Sequence, residues 1–326
     1  MQRPRGVLAS AGIALMLAPA LTACGLGTAG GPVPEATLAG DLADAPSLEG
    51  APIAIGSKNF SENVLLGKMA LIVLKAAGAD VQDLTNIPGS AAARQAHLQG
   101  DIDAMWEYTG TGWLVYLGNE KPVQGKEEQY EAVREADLEA NDLVWLPPAP
   151  MNNTYAFAIT QESKKKYGIS KMSEIKKVPR AERTFCLESE FANRADGFPG
   201  ALRTYDLADG GVPRANVQIY QTGAIYDATA SGECVFGEVF TTDGRIVALD
   251  LEVLEDDRAY FPNYNVSLVV REETESEYPE IQDVMGPVTE KLTDEVMLEL
   301  NAEIDVDGRE PEDVALDWLR SEGLVE

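Results

Sequence analysis

Trp106-Glu107-Tyr108-Thr109-Gly110-Thr111-Gly112 follows a short alternating run, Asp101-Ile102-Asp103-Ala104-Met105, that reads as a β-strand. The strand runs into an aromatic side chain and then into two glycines set among threonine hydroxyls. This order puts a phenol face and two hydroxyls at the carboxyl end of a strand, where open α/β sheets bind ligands. Taken alone, the same residues also describe an ordinary strand cap and turn.

Upstream, Pro52-Ile53-Ala54-Ile55-Gly56 reads as a short buried strand and Ser57 to Ser61 as a loop. Asn59 with Glu62 three residues on fits a capping box. The helix it opens is expected to reach about Ala77 and stop at Gly78. Val64, Leu65, Leu66, Met69, Leu71, Ile72, Val73 and Leu74 make it apolar on nearly every side, so it must lie buried against a sheet. Val81 to Thr85 gives a second strand, and a second helix runs from an N-cap at Ser90 to Gly100. Strand, helix, strand, helix, strand is the rhythm of a parallel sheet with crossover helices.

Downstream, Glu127 to Asn141 is a charged amphipathic helix. Val144-Trp145-Leu146 is a strand broken by Pro147-Pro148-Ala149-Pro150. Asn153-Thr154-Tyr155 then leads into the extended run Ala156 to Ile159. Phe261-Pro262-Asn263-Tyr264 leads likewise into Val266 to Val270. Two extended segments, each after a Pro/Asn loop, suggest a two-strand hinge between two lobes. Helices over 278–286, 287–304 and 311–322 are expected to pack back on the first lobe.

The chain has 326 residues, 45% hydrophobic and 25% charged, with a net charge of −28. Length and composition suit one large or two medium domains. The acidic balance argues against nucleic acid as a partner, because phosphates demand a basic face. Arg3 and Arg5 precede an apolar run from Gly6 to Leu21 that closes with small residues before Cys24. This reads as a secretory signal over 1–23 and not as a membrane span. A small-small-Cys site resembles a bacterial lipobox, which makes Cys24 the expected lipidation site. Gly25 to Gly50 reads as a flexible tether. The mature protein is then expected to be held by lipid on the outer face of the cell membrane. Cys186 and Cys234 remain. Each sits in a strand-like run, and in an oxidising compartment a disulfide between neighbouring strands is the expectation, with two buried free thiols as the alternative.

Catalytic chemistry is thinly supplied. His97 is the single histidine and lies on a helix without a partner motif, which suits packing or surface exposure better than general-base work. There is no Gly-x-Ser-x-Gly elbow, phosphate loop or metal-ligand spacing, so neither cofactor nor metal is expected. The sequence does offer aromatics beside loops: Trp106, Tyr108, Tyr155, Phe240, Tyr260, Phe261 and Tyr264. With Lys58, Thr111 and Arg194 they suit a zwitterion. Ring faces take a quaternary ammonium that has no N–H to donate, and cationic and hydroxyl donors take its carboxylate. A surface Lys58, and an Arg194 paired with Asp196, are the plainer readings of those two residues.

Five motifs occur in order: Ile55-Gly56-Ser57-Lys58-Asn59-Phe60-Ser61-Glu62, Glu107 to Gly112, Asn153-Thr154-Tyr155-Ala156, Arg194-Ala195-Asp196-Gly197 and Thr242-Asp243-Gly244-Arg245-Ile246. Together they resemble the substrate-binding lipoproteins of osmoprotectant ABC transporters, which take up glycine betaine, carnitine, choline or proline betaine. The resemblance runs from about Ile53 to the C-terminus.

It implies an α/β periplasmic-binding-protein fold of the type II kind, closing like a clam shell. Lobe 1 would span 51–153 plus 265–326 and lobe 2 would span 154–264. Each lobe would be a mixed, mostly parallel sheet flanked by helices. The resemblance also implies an aromatic box with walls at Tyr108, Tyr155 and Tyr264 and a fourth at Phe240, with Tyr226 competing for that place. Lys58, Thr111 and Arg194 would hold the carboxylate, and Asn153 would stand beside the box. A hydroxyl at Thr111 suits a zwitterion better than bare choline. The implied partners are a quaternary ammonium solute and an ABC permease, with the binding protein a monomer and no enzyme. A binding protein of the same fold for an amino acid or amine is the alternative, but a primary ammonium would want a carboxylate where Asn153 is neutral. An extracytoplasmic hydrolase would need two carboxylates facing across a cleft.

Overall fold

A computed structural model describes residues 32–326 except Gln124 and Ala195. The expected signal sequence over 1–23 and the expected lipidation site Cys24 lie outside the described residues. The strands are β1 (Pro52–Lys58), β2 (Asp80–Ile87), β3 (Ala104–Tyr108), β4 (Leu143–Trp145), β5 (Tyr155–Thr160), β6 (Phe185–Leu187), β7 (Val217–Ile219), β8 (Phe236–Phe240), β9 (Leu251–Val253) and β10 (Val266–Arg271). They form two five-stranded sheets, ordered β2-β1-β3-β10-β4 and β7-β6-β8-β5-β9. β1, β2 and β3 are parallel, and β10 runs against both β3 and β4, so only β10 is reversed. β5 is the reversed strand of the second sheet. This is a two-lobe α/β fold with mixed, mostly parallel sheets.

The helix Ser61–Ala76 is buried from Glu62 through Leu74. It packs between the first sheet and the C-terminal helices, which contribute Val284, Val288, Met297, Val314 and Leu319 to the same core. Truncating one of its leucines to alanine costs about 2–5 kcal/mol. The chain turns out of this helix at Gly78, whose φ of +104° favours glycine. Pro287 does not divide the helix Glu280–Lys291 as the sequence suggested. The buried stripe Ile281, Val284, Met285 and Val288 outweighs the roughly 3 kcal/mol of an internal proline.

Two further expectations are corrected. Asn59 does not cap the first helix: its Oδ1 accepts from the Gly89 N–H, and the N-cap position is Phe60. The supposed tether over 24–50 is docked along its later part. Leu38 pairs antiparallel with Val325, Thr37 exchanges backbone hydrogen bonds with Glu326, and Leu42 and Leu48 are buried. Burial of those two leucines on the first lobe supplies the reason.

The chain crosses between the sheets at 152–154 and returns at 263–265. Asn152 and Asn265 bridge there, the Asn265 side-chain amide donates to the Met151 carbonyl at 2.6 Å, and Asn152 Oδ1 accepts from the Tyr264 N–H at 2.7 Å. Cys186 on β6 and Cys234, just before β8, are disulfide-bonded. No helix among the described residues is long and apolar enough to cross a membrane.

Candidate ligand site

The carboxyl ends of β1, β3, β6 and β8 meet the start of the reversed β5 around a cavity of about 530 Å³ between the two sheets. The opening stretch is placed differently from its sequence reading. β3 begins at Ala104, where it pairs with Ile55, because Asp103 turns its carboxylate to the Ala54 N–H. Trp106 through Tyr108 therefore lie inside the strand, and Thr109 starts a helical turn.

Tyr108, Tyr155, Phe240 and Tyr264 all line the cavity. The Tyr155 ring meets Phe240 at 5.2 Å and the edge of Tyr264 at 5.4 Å. Phe60, which the sequence reading did not single out, bridges Phe240 at 5.6 Å and Tyr108 at 6.0 Å. Tyr226 lies behind this group: its hydroxyl accepts from the Phe240 N–H, and the Arg245 guanidinium covers its ring. Trp106 is wholly core, and Phe261 stands behind Tyr155 at 5.9 Å. Gly110 makes room for the box, since a Cβ there would come within 2.7 Å of the Tyr264 ring.

The polar groups are more heavily partnered than isolated ligand donors would be. Lys58 lines the cavity, but its ammonium pairs with buried Glu107 at 2.7 Å and lies 4.9 Å from the centre of the Tyr108 ring. Arg194 gives Nε and Nη2 to Asp196 at 2.8 and 2.5 Å, and Nη1 to Tyr155 at 3.2 Å and to Glu190 at 3.1 Å. Burial opposes its charge, yet Tyr155 and Asp196 hold the guanidinium pKa well above its ordinary value. Asp196 also accepts from the Tyr264 hydroxyl at 2.7 Å, so one carboxylate fixes an arginine and a ring. Thr111 lines the cavity from the helical turn after β3. Asn153 lines it too, with its amide N–H donated to Glu62. Burial raises the phenol pKa values of Tyr108, Tyr155 and Tyr264, so these rings stay neutral.

Acidic residues were passed over in the sequence and are prominent here. Glu188, Glu190 and Glu238 line the second-lobe wall. Glu190 joins the lobes, accepting from Arg194 on one side and from the Ser90 N–H, at 3.3 Å, on the other. Burial pushes its pKa up, but Arg194 and Ser90 outweigh that and hold it below its ordinary value. Glu238 is pushed well up by burial and accepts the Glu188 N–H at 2.7 Å. Glu62, read as a capping residue, is fully buried and accepts four hydrogen bonds from side chains. Its place in a helix that the sequence already marked as buried on nearly every side was the available signal. His97 is buried packing on its helix, and no cluster among the described residues is arranged to hold a metal.

Two hinged α/β lobes with an aromatic and charged cavity between them define a solute-binding protein of the periplasmic-binding class. The chain belongs to the family described as the substrate binding domain of ABC-type glycine betaine transport systems, which matches residues 51–321. It is 35% identical over 282 residues to the glycine-betaine-binding protein of Pseudomonas aeruginosa, covering 84% of this chain and 89% of that one. It is 30% identical over 279 residues to the ergothioneine transport permease/ergothioneine binding protein EgtU of Helicobacter pylori, covering 85% of this chain and 49% of that one. A solved glycine betaine/carnitine/choline ABC transporter structure superposes with a TM-score of 0.67 at 27% identity, covering 82% of this chain and 98% of that one.

Proposed function

We propose that the protein captures glycine betaine or a related quaternary ammonium carboxylate outside the cytoplasm and delivers it to an ABC permease. Lipid on Cys24 would hold it to the outer face of the membrane. The observation that carries this reading is that Tyr108, Tyr155, Phe240, Tyr264 and Arg194 line one cavity. A methylated nitrogen has no N–H to donate, so hydrogen bonding cannot select it. Ring faces can, at roughly 0.5–2 kcal/mol each.

The carboxylate end falls to Arg194, Thr111 and the ammonium protons of Lys58 that Glu107 leaves free. Tyr108 and Lys58 belong to the first sheet, Tyr155 and Phe240 to the second. Ligand therefore favours the closed arrangement through contacts that parted lobes cannot make together. Titration calorimetry with glycine betaine, carnitine, proline betaine and choline tests the reading. Saturable binding of the zwitterions is expected. Choline binding much tighter than glycine betaine would remove the carboxylate assignment, and silence across the panel would remove the reading itself.

A bulkier betaine is the second reading. It is favoured by Glu188, Glu190, Gln221, Thr222 and Glu238, polar residues that line the same cavity of about 530 Å³. Ergothioneine belongs in the panel for that reason, since it adds a thio-imidazole ring to a betaine head. Replacement of Cys24 by serine is expected to release the protein from membranes, read by cell fractionation.

A further inference from the structure

Glu62 lies beneath the aromatic box and outside the ligand cavity. Its Oε1 accepts from the Tyr108 hydroxyl at 2.7 Å and from Asn153 Nδ2 at 2.6 Å. Its Oε2 accepts from Thr242 Oγ1 at 2.6 Å and from Asn301 Nδ2 at 3.0 Å. These donors come from the end of β3, the hinge crossing, the loop after β8 and the helix Asp294–Asp305. One carboxylate thus ties together the segments that carry Tyr108, Tyr155 and Phe240. Burial raises its pKa, and the four hydrogen bonds, from Thr242, Tyr108, Asn153 and Asn301, oppose that rise by favouring the ionised acceptor.

The cations of the region are already paired. Lys58 meets Glu107, Arg194 meets Asp196 and Glu190, and Arg245 meets Asp243 and Asp305. Among the described residues no lysine or arginine pairs with Glu62. A buried carboxylate without a cation is costly, and this one stands one phenol away from the place where a cation would be bound.

We propose that Glu62 is the counter-charge of the ligand's ammonium, acting through the Tyr108 phenol without touching the ligand, and is a specificity-determining positioning residue. Its negative charge favours a cation on the far side of the ring, and the phenol that donates to it presents a more electron-rich face. The same bonds keep the rings converged. This rests on the reading of the cavity as a quaternary ammonium site.

The test measures binding of glycine betaine and of 3,3-dimethylbutanoate, in which carbon replaces the charged nitrogen. The proteins are the unaltered chain, Glu62→Gln, Tyr108→Phe and the double variant, each also melted without ligand. Glu62→Gln preserves shape and removes charge, so a tenfold or greater loss for glycine betaine is expected, with the preference over the carbon isostere reduced. The double variant is expected to lose no more than Glu62→Gln alone. Should Glu62→Gln fail to fold, Tyr108→Phe still cuts the link and is expected to lower that preference. Equal losses for both ligands, affinity within twofold of the unaltered protein, or additive losses in the double variant overturn the counter-charge role. If the unaltered protein binds glycine betaine normally, such a result leaves the proposed function standing. If it binds no quaternary ammonium at all, both fall.

Discussion

Lys58 and Glu107 form a buried ion pair at 2.7 Å directly beside the Tyr108 ring. Glu107 also accepts from the Tyr116 hydroxyl at 2.6 Å. Removing one partner strands the other charge in the interior, at about 3–5 kcal/mol, whereas removing both costs less. Lys58→Met is therefore expected to lower the melting temperature more than Lys58→Met/Glu107→Gln does. Calorimetric unfolding of the ligand-free proteins checks the order, and the reverse order would show that the pair is not a unit.

Tyr155 is in ring contact with both Phe240 and Tyr264. Tyr155→Ala removes one ring face and opens the box, so affinity for a quaternary ammonium should fall about tenfold or more. Tyr155→Phe keeps the face and loses only the hydroxyl bonded to Arg194 at 3.2 Å. It should bind within a few fold of the unaltered protein. Titration calorimetry that ranks the two variants alike would take Tyr155 out of the box.

Arg194 presents a planar fork that a lysine cannot copy. Arg194→Lys should weaken glycine betaine more than choline, since only the former has a carboxylate to lose. A parallel loss for both ligands, measured by competition, would confine Arg194 to bracing Asp196 and Tyr155.

The Cys186–Cys234 bridge closes a separation of 48 residues within the second sheet's lobe. Chain-entropy reasoning puts its contribution at about 4 kcal/mol. Cys186→Ala/Cys234→Ala should lower the unfolding midpoint in denaturant while leaving ligand affinity nearly unchanged, because neither cysteine lines the cavity. An unaltered midpoint would refute the contribution.

His97 is buried, and desolvation with a smaller push from Arg94 lowers its pKa from 6.5 to about 3. Between those values the unfolded chain binds a proton that the folded chain refuses. The stability this gives is present above pH 6.5 and is lost as the pH falls, at up to about 1.4 kcal/mol per unit. Unfolding free energies from pH 8 to pH 4 should therefore converge for the unaltered protein and His97→Leu as acid is added. Parallel curves would show that His97 is not the titrating group.

Local sequence carried the strand–helix alternation, the greasy first helix, the stop at Gly78 and the hinge segments, because each follows from periodicity and backbone preference within a dozen residues. The family motifs brought Tyr108, Tyr155, Phe240 and Tyr264 forward, and all four line the same cavity. Local sequence misread Glu62, whose spacing from Asn59 matched a cap while its actual donors lie up to 239 residues away. It also read Thr109 to Gly112 as a turn at a ligand-binding strand end, where the chain forms a helical turn. The need for glycine at 110 comes from the Tyr264 ring, which no local pattern could announce.

By itself, the sequence determined the alternation of elements, the hinge segments and the family, since propensity and motif order are properties of neighbouring residues. Tertiary structure alone decided which charges are free and which are spent: Lys58 on Glu107, Arg194 on Asp196 and Glu190, and Glu62 on four donors and, among the described residues, no cation. The physical reason is that a charge's worth in the interior depends on the partners folding brings within hydrogen-bond reach. Those partners come from distant parts of the chain and from both sheets.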